Sequence, residues 1–180
     1  PHVQPSAAPT ALPTPAAPPT ARPTELPSVL IYFGNSQMNP GIIDCRKVFP
    51  VTRVITATAN LPQAALQQLF AGPTEEEKAQ GYVSNFSAAT RDILRWVKIK
   101  DGTAYVNIRD IRTIIPNASA SCASAAFFAE VEMTLKGVAP IERVIYAIDG
   151  DPAPFYEWMQ IGCAPENDNC DPAPFEESTD

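Results

Sequence analysis

An α/β (α+β) domain is the fold class this sequence predicts, on three observations. Residues 28–35, SVLIYFGN, are β-branched and aromatic and stop at a Gly-Asn pair, which is the signature of a strand ended by a turn. Residues 96–110, WVKIKDGTAYVNIRD, alternate apolar and polar positions on either side of Asp101-Gly102, the pair that a tight hairpin turn favours. Leu66, Leu69 and Phe70, and later Phe128, Val131 and Leu135, recur at helical spacing. Strand and helix signals are thus interspersed within one stretch of chain of ordinary domain size.

The elements follow in order. After the first strand and a loop, VFPVTRVI at 48–55 reads as a second strand, with Pro50 placing it at an edge or a bulge because proline cannot donate to a ladder. Leu61 to Ala71 reads as a helix that Gly72 and Pro73 end. Thr74 with Glu77 fits a capping box that opens a short helix from Glu75 to Gln80, with Glu75 and Glu76 favourable at its positive end. Those three successive glutamates point about 100° apart around a helix and do not converge on one ligand. Ser87 caps a further predicted helix to Leu94, and the hairpin comes next. Beyond Pro116, Ser119 or Ser121 is placed to cap the main core helix, which runs to Lys136 with Gly137 as its stop. ERVIYAIDG at 142–150 is a buried strand, and Asp151 caps a helix that starts at Pro152 and ends at Gly162.

Three regions result: a Pro/Ala/Thr-rich tether at 1–27, the domain at 28–163 and an acidic C-terminal tail at 164–180. The tether has too few large apolar residues to offset the entropy of ordering it, and the tail is expected to be mobile. Of 180 residues 20 are proline, and the formal net charge is −7, with the 13 basic residues scattered along the chain. That balance argues against nucleic-acid partners and against polybasic attachment to membranes. No apolar run reaches the length of a bilayer span.

The four cysteines, Cys45, Cys122, Cys163 and Cys170, lack the spacing of a zinc knuckle, and their even number fits an oxidised, exported protein. Three pairings are open. Cys45 with Cys122, and Cys163 with Cys170, is the favoured one, since it ties an early loop to a helix start and closes a small loop near the C-terminus.

The single histidine, His2, falls in the tether, so no Ser-His-Asp, Cys-His or histidine-ligated metal site assembles in the domain. Ser121, Cys122 and Ser124 read as cap and disulfide rather than nucleophiles, with no base at hand. Asp149, Asp151 and Glu157 are the one acidic cluster to weigh as calcium ligands or a glycosidase pair, but they lack the EF-hand spacing. Tyr156 and Trp158 beside them could form a sugar-stacking platform, although aromatics more often pack in a core. The phosphate-cradling glycine motifs are absent. No catalytic, cofactor-binding or metal-binding residue is assigned, and no cofactor is expected.

Several segments, IYFGNS at 31–36, VTR at 51–53, ALQQLFAGPTEEEKAQGY from 65, DGTAYVNIRD from 101, PNASASCASAA from 116, TLK at 134–136 and RVIYAIDGD from 143, together resemble the GerMN domain of sporulation and spore-germination proteins like GerM. The resemblance spans about residues 28–162. It implies a small mixed sheet with helices packed on it, akin to ring-building motifs, in an exported and often lipidated protein of the cell envelope. It further implies a non-enzymatic scaffold or interaction module whose partners are other envelope proteins or copies of itself. The tether would then join the domain to an anchor upstream of this chain. The alternative expectation is a binder or carboxylate-dependent hydrolase of cell-wall glycan that uses Asp149, Asp151, Tyr156, Glu157 and Trp158.

Overall fold

The computed structural model describes residues 26–164, 166 and 168–176; the tether, save Leu26 and Pro27, lies outside them. Ten regular elements follow in order: β1 (Ser28–Asn35), β2 (Phe49–Val54), α1 (Leu61–Phe70), α2 (Glu75–Ala79), β3 (Tyr82–Val83), β4 (Leu94–Lys100), β5 (Thr103–Ile108), α3 (Ser121–Lys136), β6 (Arg143–Ile148) and α4 (Pro152–Trp158). They form an α+β fold with two three-stranded sheets instead of one, ordered β2-β1-β3 and β4-β5-β6. The first sheet is antiparallel throughout. The second is mixed, because α3 lies between β5 and β6 in the chain and carries it back so that β6 runs parallel to β5.

Alternation sets the faces. Val29, Ile31 and Phe33 of β1 point into the core, while Ser28 and Leu30 face out. β5, flanked on both sides, is buried almost throughout. Leu66, Leu69 and Phe70 of α1 meet Phe127, Val131 and Leu135 of α3 in a single apolar cluster with these strands. Tilted ring contacts link Phe70 to Phe86 and Phe86 to Phe127, with centroids 4.8 and 5.1 Å apart. On the other flank Phe155 of α4 stacks on Tyr146 of β6 at 4.7 Å.

The hairpin turn carries positive φ at both Asp101 and Gly102, as a turn of its predicted type requires. Pro50 lies on the edge strand, opposite Tyr32. The Thr74–Glu77 capping box is complete, and Asp151 accepts from the Ala153 N–H at the start of α4.

Three expectations are corrected, and one strand is added to them. The helix expected over 87–94 is one 3₁₀ turn, Ala88–Thr90. Ser87 and Thr90 close a reciprocal cap around that turn, and from Leu94 the chain is taken up by pairing with Ile108 of β5. Neither Ser119 nor Ser121 caps α3; its N-cap is Ala120, without a side-chain bond, and Ser124 Oγ donates to the Ser121 carbonyl within the first turn. Tyr82–Val83 forms a short strand against Gly34 and Asn35, too brief for alternation to reveal. The C-terminal residues 168–176 are not a free tail: Phe175, only 3% exposed, sits between Trp96 and Tyr105 at 5.6 Å from each ring. Burying one large ring supplies what the acidic composition of the segment lacks.

The GPTEEE segment joins the first sheet to the core. Gly72 has φ +74°, and a Cβ placed there would lie 2.4 Å from the Phe86 carbonyl oxygen. Gly72→Ala is therefore expected to destabilise the domain by about 2 kcal/mol or more, through strain and backbone collision together, whereas Glu76→Gln on the exposed face of α2 changes it by less than about 0.5 kcal/mol. Chemical denaturation of both variants checks this; equal effects would show that Gly72 is not a fixed point of the fold.

Candidate functional site

α3 places one acid where its apolar stripe should continue. Phe127, Glu130, Val131, Thr134 and Leu135 share one face of the helix at spacings of three and four, and all five are buried. Glu130 is 0% exposed. Its Oε1 accepts from the Gly34 N–H of β1 (3.3 Å), and Ser84 Oγ lies 2.6 Å from Oε2. One turn on, Thr134 Oγ1 accepts from the Tyr32 N–H (3.1 Å). Ser84 is itself fixed, since its Oγ also accepts from the Phe86 N–H (3.0 Å).

Burial pushes the Glu130 carboxyl up to about 8, even though the bonds from Ser84 and Gly34 pull the other way. At neutral pH it is therefore protonated. In that state it can donate along the short contact to Ser84; ionised, it accepts from the same hydroxyl.

Above Glu130 opens a pocket of about 210 Å³ whose walls include Ile42, Val83, Ala123, Ala126 and the Cys45–Cys122 disulfide. That disulfide (S–S 1.97 Å) pins the 36–48 loop to the first turn of α3, and a second joins Cys163 to Cys170 (2.08 Å). The amides around the pocket are committed to the backbone. Asn35 Nδ2 donates to the Gln80 carbonyl, Asn39 Nδ2 to that of Asp44, and Asn85 Nδ2 to that of Ala123. The pocket is thus mainly apolar in its walls, with Asp44 and Lys47 also lining it and one protonated acid beneath, and it suits an apolar side chain better than a sugar.

The residues singled out from sequence are placed differently. Asp149 pairs with Arg95, Asp151 caps α4, and Glu157 points to solvent. Tyr156 is only 6% exposed, and its hydroxyl accepts from the Tyr146 N–H at 3.2 Å. Trp158 packs edge-on to Phe155. The expected two-ring platform is therefore not formed, because the Tyr156 ring belongs to the core. Among the described residues no group of three or more His, Cys, Asp or Glu side chains is arranged to hold a metal ion.

Glu130 went unremarked in the sequence, although a signal was there: a glutamate in phase with Phe127, Val131 and Leu135 on a helix otherwise read as core.

Two outcomes follow. A carboxyl whose pKa rises on folding from its ordinary 4.5 to about 8 contributes stability in full below about 4.5 and loses it as pH rises through about 8, since the folded state holds the extra proton. Wild-type unfolding free energy should thus decline across that window. Glu130→Gln, which keeps both bonds without titrating, should lack the decline; identical pH profiles by denaturant titration would refute it. Cys122→Ser should cost about 2–5 kcal/mol, the range for a native disulfide, and reductant should lower the melting temperature of wild type but much less that of the variant.

No curated protein and no solved structure matches the chain. A family model does: Germane, described as sporulation and spore germination, matches residues 30–154. The match runs from β1 into α4 and takes in the Gly34–Glu130 contact, the GPTEEE segment and the hairpin. The chain belongs to the Germane family of sporulation and spore-germination proteins.

Proposed function

We propose that this domain is a non-enzymatic, extracytoplasmic interaction module of a bacterial cell envelope, holding other envelope proteins or copies of itself in an assembly. The observation that carries the reading is the outer face of the first sheet. β1 and β2 pair so that Ser28 faces Val54, Leu30 faces Thr52 and Tyr32 faces Pro50, all on the side away from the core. Leu30 is 43% exposed and Val54 59%. Leu26, just before the strand, is also exposed. Apolar groups grouped on one side of a sheet, at an edge strand, are what a protein partner covers.

Two disulfides support an oxidising location, and no helix among the described residues is long and apolar enough to cross a membrane. The family's description places the role near sporulation and germination.

The experiment is crosslinking and capture from native envelope with wild type and with Leu30→Asp/Val54→Asp, beside native mass measurement of self-association. Partners or oligomers lost in the double variant, with melting unchanged, would support the reading; a full set of partners retained by the variant would overturn the assigned face. Retention on peptidoglycan that Trp158→Ala abolishes would instead favour the glycan-binding alternative.

A further inference from the structure

Three of the 13 basic residues, far apart in sequence, are brought by the fold to one place. A cavity of about 670 Å³ opens beside the end of α1, and Arg53, Gln67, Gln68, Arg91, Asp92 and Arg109 line it. Three arginines and one aspartate thus line one cavity in a chain whose net charge is −7.

The three arginines are not equivalent. Arg53 is neutralised by Glu77 and donates to the Gly72 carbonyl (3.2 Å). Arg91 and Arg109 are exposed, and among the described residues neither forms a salt bridge. Their backbones are nonetheless fixed. Arg91 follows the 3₁₀ turn that Thr90 holds by donating to the Phe70 carbonyl (2.7 Å), and the Arg109 N–H donates to the Ile93 carbonyl (2.8 Å). The two arginines therefore line one space from adjoining segments whose backbones are anchored before any ligand arrives. Complementing the negative end of α1 would be the purely structural use of such cations, but Arg53 already serves the carbonyl just beyond it.

We propose that this cavity is a binding site for a small ligand bearing carboxylate or phosphate groups. Arg91 and Arg109 hold the acid groups through charge-assisted, two-pronged hydrogen bonds, and Gln67 and Gln68 supply amide contacts to the remainder. The volume lies within the usual range for a small-molecule site, about 300–1,000 Å³, and the polar walls exclude an apolar occupant. Arg109 also lines a second cavity, of about 560 Å³, with Trp96, Phe175 and the paired Arg95 and Asp149. The site shares no residue with the sheet face assigned to partners above, and either can fail without the other.

Titration at fixed ionic strength, followed by calorimetry and amide NMR, tests the site with two probes: tripolyphosphate for the phosphate class and citrate for the carboxylate class. Saturable one-to-one binding of at least one probe is expected, with shifts centred on residues 67, 68, 91 and 109. Arg91→Ala and Arg109→Ala should each weaken it by about tenfold or more, while Arg46→Ala, an exposed arginine outside the cavity, should leave it unchanged. The preferred probe names the ligand class. Failure of both probes to saturate, or equal weakening by Arg46→Ala, would overturn the proposal. So would a loss of melting temperature in Arg91→Ala and Arg109→Ala without any effect of the probes, which would assign the arginines to the fold.

Discussion

The flank of β1 that faces α3 is satisfied by a helix. β3 covers only Gly34 and Asn35, which leaves the rest of that flank without a paired strand. α3 lies along it and presents Glu130 to the Gly34 N–H and Thr134 to the Tyr32 N–H, with Gly137 next in line beside the Leu30 carbonyl. The match is metrical: four residues of helix rise about 6 Å, and two residues of strand about 6.6 Å, so side chains one turn apart meet every second amide of the strand. An unpaired, buried strand edge costs about 1–3 kcal/mol for each orphaned group, and here helix side chains replace the missing ladder. The position of α3 then determines much else. Its first turn receives the Cys45 loop through Cys122, its apolar face meets α1, and its far end delivers the chain to β6.

This arrangement explains why an acid sits in the core. A neutral apolar residue at 130 would pack as well but leave the Gly34 N–H and the Ser84 hydroxyl unanswered. A permanently charged one would carry a desolvation cost that two hydrogen bonds do not offset. Protonation resolves the conflict. The same economy appears at Glu77, where burial works against the charge but hydrogen bonds and charge from Arg53, with the bonds of the Thr74 cap, outweigh it and hold the carboxyl below its ordinary value. Two glutamates in one small domain are thus set to opposite charge states, one by burial that wins and one by partners that win.

Most of the fold was legible because its signals are local. A strand ended by Gly-Asn, a hairpin turn, a capping box and a proline-led helix each depend on a few adjacent residues, and each stands where those residues put it. What failed was what tertiary context decides. Residues 87–94 carry a genuine helix cap, yet the pairing of Leu94 with Ile108 takes the following residues into a strand. Residues 168–176 look like a solvated tail until Phe175 finds its slot between two rings on the sheet. Tyr156 and Trp158, adjacent to acids in sequence, are turned by α4 so that one ring enters the core and the acids face elsewhere. The arginine cavity was invisible for the same reason, since its members come from β2, from the turn before β4 and from the end of β5.

The GPTEEE segment shows how structural and functional roles divide. Glu77 caps α2 through Thr74 and at the same time grips Arg53, which reaches the Gly72 carbonyl. Gly72 in turn allows Phe86 to approach, and Thr90, four residues on, donates back to Phe70. None of these groups is left over for chemistry, because each donor or acceptor has an internal partner. Yet their closed circuit is what sets one wall of the cavity and fixes the backbone that precedes Arg91. Arg91, just outside the circuit, is held in place by it and among the described residues forms no salt bridge. Gly72, Thr74 and Glu77, whose roles are structural, can in this way define a binding surface through the geometry they hold rather than through a ligand they touch.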